Sequence, residues 1–151
     1  MVDKVLGIIG GGQLGRMIAL AAAHLGVKSH IFDPDPDSPA FDVASKVFNY
    51  EFDNIDAIKT FSKSLNSAVY EFENIPLESL YFLKKNKQIY SGLKALRYSQ
   101  DRLLEKKFIS NLGISVAPYY KINNFTDINR ALKKLNGSAI LKTRKLGYDG
   151  K

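Results

Sequence analysis

The amino-acid sequence predicts an α/β protein with a doubly wound parallel sheet, and three observations support that fold class. An apolar run at residues 5–9 is followed by a glycine cluster and then by a helix-patterned segment rich in Ala and Leu. Short apolar runs alternate with segments of helical spacing about five times before residue 92. The chain has 151 residues, of which 45% are hydrophobic, enough for one domain and part of a second. We therefore predict a Rossmann-like domain over residues 1–95 and a separate part over residues 96–151.

The first strand, turn and helix form a candidate phosphate site. Gly10, Gly12 and Gly15 have the spacing G-x-G-x-x-G, which allows a tight turn, close approach of a ligand to bare backbone and close packing of helix on strand. The N–H groups of the following helix point into the crevice above the strand and favour an anion there. Asp33 stands eighteen residues after Gly15, where a dinucleotide site places the acid that binds a ribose hydroxyl. An NAD(P)-binding oxidoreductase domain is therefore one hypothesis for this half of the chain.

Hydrophobic periodicity assigns the other elements in order. Before residue 92 it places helices at residues 14–25, 55–65 and 76–86, and strands at residues 27–32, 46–52, 67–72 and 87–90. After residue 92 it predicts one long helix at 96–112, a strand after Pro118, a helix at 126–135 and a strand at 138–143. The segment D-P-D-P-D-S-P-A after residue 32 holds three prolines, which predict a rigid loop instead of an immediate helix.

Two acids follow the strand predicted at residues 67–72. Glu71 and Glu73 lie two apart in extended chain and so share a face. Open α/β sheets bind ligands at the carboxyl ends of their strands, so one of these acids is a candidate for contact with a substrate. The alternative is that each merely caps the next helix or lies at a solvated loop edge, and the residues alone leave both possibilities open.

Charge and composition limit the classes of partner. The formal net charge is +7, but the lysines are spread over helical surfaces without one basic stripe, which favours solvated helix faces over a nucleic-acid binder. There is no Cys and there are only two His residues, so a thiolate or histidine metal site is not expected. No apolar stretch approaches 18 residues, and we expect a cytoplasmic protein with no membrane partner.

The last residues form a second candidate phosphate site. A strand predicted to end at Lys142 leads into R-K-L-G-Y-D-G-K, in which Gly147 and Gly150 provide flexibility and Lys142 and Lys151 provide charge. This pattern is typical of a loop that closes over phosphates, and a disordered basic tail is the alternative.

Six segments occur in the order found in one ATP-grasp family: G-G-G-Q-L-G-R-M from Gly10, F-D-P-D-P-D-S-P-A from Phe32, E-F-E-N-I-P from Glu71, Q-D-R-L-L-E-K-K-F-I from Gln100, L-G-I-S-V-A-P from Leu112 and L-K-T-R-K-L-G-Y-D-G-K from Leu141. On these segments the chain resembles the 5-(carboxyamino)imidazole ribonucleotide synthases of purine biosynthesis over essentially its whole length.

The resemblance implies a fold and an activity. Residues 1–95 would be a Rossmann-like pre-ATP-grasp domain, and residues 96–151 a linker helix and the beginning of an ATP-grasp domain. The activity implied is that of a carbon–nitrogen ligase, which carboxylates aminoimidazole ribonucleotide with bicarbonate, at the expense of ATP, through carboxyphosphate. It also implies that the chain is an N-terminal fragment without full activity alone, with magnesium ligands beyond residue 151 and none within the chain, and a homodimer at full length. The spread of the lysines adds the expectation of no nucleic-acid partner.

The resemblance also assigns site residues. The ribonucleotide pocket would include Gly10, Gly12, Gln13, Leu14 and Glu73. The ATP contacts would be Arg102, Lys142, Gly147, Tyr148, Asp149, Gly150 and Lys151. Of these, Tyr148, Asp149 and Lys151 would also border the ribonucleotide and act as catalytic residues.

Overall fold

The computed structural model describes residues 4–147 and divides the chain into two compact units, residues 1–96 and 97–151, each treated below by itself. Four residues of the predicted site, Tyr148, Asp149, Gly150 and Lys151, lie outside the described residues.

The first unit contains a five-stranded sheet in which every neighbouring pair is parallel, which confirms the predicted α/β class. The strands are β1 (Val5–Ile9), β2 (Lys28–Phe32), β3 (Lys46–Phe48), β4 (Ser67–Tyr70) and β5 (Gln88–Tyr90). Their spatial order is β3-β2-β1-β4-β5. The chain therefore builds outward from β1 on one side and returns to its other side for β4, which puts a topological switch point between the carboxyl ends of β1 and β4.

Among the described residues, three helices connect strands of this sheet, and a fourth follows β5. They are α1 (Gln13–His24), α2 (Ile55–Lys63), α3 (Leu77–Lys84) and α4 (Leu93–Ser99), which runs across the boundary between the units; a short 3₁₀ helix spans Pro39–Val43. α2 begins where the Asn54 side chain accepts a hydrogen bond of 3.0 Å from the Ala57 N–H, a standard helix cap. The 3₁₀ helix begins at the last proline of the segment that the sequence predicts to be a rigid loop, and residues 33–38 before it form neither helix nor strand.

The core lies on both faces of the sheet. Successive residues of a strand point to opposite faces, so Ile8 and Ile31 belong to one apolar cluster while Ile9 and Phe32 belong to the other. Phe61 of α2 is fully buried against Phe32, with ring centroids 5.3 Å apart. Burial on both faces explains why β1, the central strand, is a short continuous apolar run.

The second unit begins after Leu96 and contains α5 (Arg102–Asn111) and α6 (Phe125–Lys134). The prediction of one helix over residues 96–112 is wrong, because α4 ends at Ser99 and α5 begins at Arg102. The break lies at Asp101, whose extended backbone (φ −134°, ψ 105°) and N-capping side chain start a new helix.

The strands predicted after Pro118 and at residues 138–143 are also wrong. Every strand among residues 4–147 belongs to the sheet of the first unit. An apolar run becomes a strand only when its backbone pairs with a neighbour, and among the described residues these two segments have none. Ile140 and Leu141 are accordingly exposed, by 83% and 71%. Across residues 4–147 we find no helix with the length and apolar content needed to span a bilayer.

Candidate functional site

The glycine turn lies at the switch point of the sheet, between the ends of β1 and β4. Gly10 follows β1 with φ +100°, a conformation that favours glycine, and its N–H donates to the Phe32 carbonyl at 3.0 Å. The Glu71 N–H donates to the Ile9 carbonyl, also at 3.0 Å, and so fixes the chain that leaves β4 beside the turn. The turn, the N-terminus of α1 and the E-F-E segment therefore form one crevice.

Two carboxylates of the chain already occupy amides of this turn. Asp33 Oδ2 accepts from the Gly11 N–H at 2.6 Å, and Glu71 Oε1 accepts from the Gly12 N–H at 3.1 Å. A Cβ on Gly10 would lie 2.7 Å from Glu71 Oε1, so the first glycine also makes room for that side chain. The prediction from sequence placed a ligand against Gly12, whereas the structure places the side chain of Glu71 there.

The next amides of the turn are open. α1 begins at Gln13 with no side-chain cap on Gly12. Within residues 4–147 no hydrogen bond is formed by the N–H groups of Gln13, Leu14 or Gly15, the first turn of the helix. Free N–H groups at the positive end of a helix dipole suit an anion. Gly15 is buried, so the accessible donors are those of the exposed residues Gln13 and Leu14, next along the chain from Gly12.

The third glycine packs the helix onto the turn. A Cβ on Gly15 would lie 2.4 Å from the Gly10 carbonyl oxygen, so no side chain fits there. The 3₁₀ helix covers the same turn, since the Ala40 N–H donates to the Gly11 carbonyl at 2.9 Å. Arg16 of α1 joins it through an ion pair with Asp42 at 2.8 Å. The proline-rich loop therefore supports the glycine turn.

Asp33 has a structural task in this arrangement. Its second oxygen, Oδ1, accepts from the Asp35 N–H at 2.8 Å, so both carboxylate oxygens bind backbone N–H groups of the chain. The residue is only 9% exposed. An acid that binds a ribose needs an oxygen turned to the ligand, and the geometry of Asp33 disfavours the dinucleotide hypothesis.

Glu71 is the acid beside the glycine turn whose pKa is raised above its usual value. Burial raises the pKa of its carboxyl group, and the nearby carboxylates of Asp33 and Glu73 raise it further, while the Gly12 N–H opposes them. Glu73 is partly exposed and contributes to that repulsion. The structure thus places the Glu71 carboxylate against the glycine turn, with Glu73 near enough to raise its pKa.

The second unit contains the other predicted site residues. Arg102 Nη1 donates to the Thr143 carbonyl at 3.0 Å, and its Nη2 donates to the Gly147 carbonyl. Lys142 is exposed just before these residues. Two donors of Arg102, predicted to contact ATP, thus hold the chain on either side of residues 144–146.

Asp101 and Arg144 are further residues of this cluster that the sequence analysis did not single out. Their side chains form a paired contact, Arg144 Nε to Asp101 Oδ1 at 3.1 Å and Arg144 Nη2 to Asp101 Oδ2. The only signal in the sequence is that Asp101 precedes Arg102 within Q-D-R. Over the described part of the chain, no group of three or more His, Cys, Asp or Glu side chains could hold a metal ion.

A parallel sheet with a glycine turn at its switch point and free N–H groups at the following helix N-terminus is typical of α/β domains that bind anions. The family model of the ribonucleotide synthetase preATP-grasp domain matches residues 3–100, and the chain belongs to this family.

Relatives of known function extend over nearly the whole chain. It is 40% identical over 148 residues to the N5-carboxyaminoimidazole ribonucleotide synthase of Brucella melitensis, covering 98% of this chain and 41% of that protein. It is 43% identical to the bifunctional purine synthesis protein purC/E of Dictyostelium discoideum, over 98% of this chain and 15% of that protein. The crystal structure of an ADP complex of purK, an N5-carboxyaminoimidazole ribonucleotide synthetase, superposes with a TM-score of 0.93 at 39% identity, over 99% of this chain and 40% of that chain.

The chain therefore spans about two fifths, or less, of the length of these relatives. The resemblance stated from the six sequence segments is confirmed.

Proposed function

We propose that this chain provides the ribonucleotide side, and the first nucleotide contacts, of an ATP-grasp ligase that carboxylates aminoimidazole ribonucleotide with bicarbonate. The observation that carries the proposal is 40% identity to the Brucella synthase, maintained over 98% of the chain. ATP with magnesium would be the activating nucleotide. ATP can turn bicarbonate, a poor electrophile, into the reactive carboxyphosphate, which requires a site closed to water.

On the first unit, the ribonucleotide phosphate would bind the N–H groups at the start of α1. The open amides of Gln13 and Leu14 support this assignment, because they provide donors with no acceptor in the described chain. Gly10 and Gly12 would shape the pocket, and Glu73 would contact the sugar or base. We add Glu71 to this set because it bonds the Gly12 amide beside those donors.

On the second unit, ATP would meet Lys142, Arg102 and the loop that starts at Gly147. We propose that residues from about 96 onward begin an ATP-grasp domain, in which Gly150 and Lys151 bind phosphates and Tyr148, Asp149 and Lys151 act at the reacting groups. The magnesium ligands would lie beyond residue 151. An exposed Lys142 next to a glycine-bearing loop is consistent with contact to a phosphate.

The proposal includes a cytoplasmic homodimer. Its substrates are charged nucleotides and bicarbonate, which are found in the cytoplasm, and the dimer rests on the family resemblance. Light scattering of the full-length protein measures its oligomeric state and so tests the dimer.

The test measures ADP release by the full-length protein with ATP, magnesium, bicarbonate and aminoimidazole ribonucleotide. We expect release to require all four, and omission of the ribonucleotide to abolish most of it. ADP release at the same rate with and without the ribonucleotide would refute the proposed substrate. Tight binding of NADH by residues 1–96, followed by its fluorescence, would instead support the oxidoreductase hypothesis.

The variant Lys142→Ala tests whether Lys142 serves ATP and not the ribonucleotide. Loss of a hydrogen bond to a charged group costs ~1.5–3 kcal/mol, so the KM for ATP should rise roughly tenfold to a hundredfold. The KM for the ribonucleotide should change little. Lys133→Ala, which removes an exposed lysine of α6, is the matched control and should leave both constants unchanged. Equal losses for both substrates would contradict the assignment of Lys142 to ATP.

A further inference from the structure

We propose that Asp101 is a positioning residue for the loop of residues 143–147, which it holds in place through Arg144. The inference deepens the proposed function and rests on it, since this loop connects Lys142 to the residues proposed to cover the phosphates of ATP.

Asp101 is built into the start of α5. Its side chain is nearly inaccessible, and its Oδ1 accepts from the Leu103 and Leu104 N–H groups at 3.0 and 3.3 Å. The same carboxylate receives the fork of the Arg144 guanidinium through Nε and Nη2. A paired guanidinium–carboxylate contact fixes orientation as well as distance. The rigid end of a helix is thereby connected to a loop 43 residues further along the chain.

The neighbouring residue holds the same loop by different atoms. The Arg102 N–H donates to the Arg144 carbonyl at 3.0 Å, and the Arg102 guanidinium donates to the carbonyls of Thr143 and Gly147. Asp101 therefore binds the side chain of Arg144, while Arg102 binds the backbone around it. Two consecutive residues of α5 and its cap determine the path of residues 143–147.

The loop itself is tightly constrained. Leu146 has φ +59°, which a branched side chain rarely adopts and which persists only where surrounding contacts enforce it. A Cβ on Gly147 would lie 2.3 Å from Thr143 Oγ1, so the loop also closes on itself at a glycine. Loss of the Arg144 anchor would free the loop to leave this strained path and would shift Lys142 with it.

The hydrogen bond from Arg144 holds the pKa of the Asp101 carboxyl below its usual range, and the N–H groups of Leu103 and Leu104 act in the same direction. The anchor is therefore ionised throughout the neutral pH range.

Two variants break the anchor in different ways. Asp101→Ser keeps a good cap for α5 but cannot reach Arg144, and Arg144→Lys keeps the charge but loses the fork. Asn124→Ser is the matched control, because it exchanges one capping residue for another at the start of α6, where the Asn124 side chain accepts from the Asp127 N–H at 3.1 Å. Circular dichroism checks that all three variants keep their helices.

Trypsin reports on the loop directly, because Lys145 is present in every variant. Mass spectrometry should show cleavage after Lys145 about tenfold faster in Asp101→Ser and Arg144→Lys than in the parent chain or in Asn124→Ser, since proteolysis follows the population of the open form. In the full-length enzyme, both variants should raise the KM for ATP about tenfold and leave the KM for the ribonucleotide within about twofold.

Unchanged cleavage after Lys145 in both variants would overturn the anchoring role. Faster cleavage with an unchanged KM for ATP would overturn its connection to the nucleotide. If the parent enzyme releases no ADP at all, the proposed function fails, and the cleavage rates still decide whether Asp101 anchors the loop.

Discussion

Gly15→Ala tests whether α1 is packed rigidly against the glycine turn. The new Cβ would lie 2.4 Å from the Gly10 carbonyl oxygen, 0.6 Å short of the 3.0 Å that real Cβ contacts keep. That oxygen cannot easily move, because the Gly10 N–H is bonded to Phe32 at the end of β2. α1 cannot easily move either, because Ala19 and Ala22 are buried on its inner face. There is therefore no room for even one methyl group between the helix and the turn.

The expected loss follows from the cost of overpacking. Forcing an extra methyl into a packed site costs ~1–3 kcal/mol, against at most about 1 kcal/mol regained from the better helix propensity of Ala. A net loss of about 1–2 kcal/mol in a domain of this size lowers Tm by roughly 5–15 °C. Gly92→Ala is the control, because nothing lies within 4 Å of its Cβ position.

Thermal unfolding of the three chains, followed by far-ultraviolet circular dichroism, measures the difference. The Gly92→Ala protein should unfold close to the parent temperature. If the Gly15→Ala protein also unfolds within about 2 °C of the parent, α1 can shift to accommodate the methyl group, and the prediction of rigid packing on the turn is wrong.

Two further predictions concern pH. Glu71→Gln should raise the free energy of unfolding at pH 7, because the folded pKa of Glu71 is raised and its ionisation above that pKa opposes folding; the gain should vanish at low pH, where the carboxyl is protonated in both states, and exposed Glu51→Gln should give none. Urea unfolding at several pH values measures both variants, and a loss of stability for Glu71→Gln at pH 7 would contradict the prediction. Burial lowers the pKa of His30, and the charges of Lys46 and Lys28 lower it further. The folded protein therefore binds fewer protons at this residue than the unfolded chain does. Its free energy of unfolding should fall as the pH drops below about 6.5. His30→Gln should weaken that fall and exposed His24→Gln should not, so identical pH profiles for the two variants would refute the assignment.

The sheet and the glycine turn at its edge could be predicted because their signals are local. A strand buried on both faces has to be a continuous apolar run, and the turn after β1 needs glycine at Gly10 and Gly15 for reasons visible in the spacing alone. The five predicted strands correspond to β1 to β5, although β3 ends at Phe48 and β4 at Tyr70, before the predicted ends.

The partners of the turn could not be predicted in the same way. Asp33 follows β2 and Glu71 follows β4, and only the folded sheet shows that both carboxylates turn back to the glycine amides between them. From sequence, Glu71 and Glu73 were equivalent, because the E-F-E spacing puts both on one face. The break at Asp101 was missed for a similar reason, since a helical apolar pattern continues across an N-cap whose effect depends on local backbone geometry.

The occupied amides change where a phosphate is expected to bind. A dinucleotide fold uses the second glycine to bring bare backbone to a pyrophosphate, yet here the Gly12 amide already bonds Glu71, and a second anion at the same donor would meet its charge. Among residues 4–147, the first exposed residues whose N–H groups have no acceptor are Gln13 and Leu14, next after Gly12 in the chain. We therefore expect an anion at this turn to bind the Gln13 and Leu14 amides, where the proposed ribonucleotide phosphate would lie. The occupied amides therefore disfavour the pyrophosphate of NAD at this turn, for a reason that lies in two carboxylates and that the glycine motif alone does not reveal.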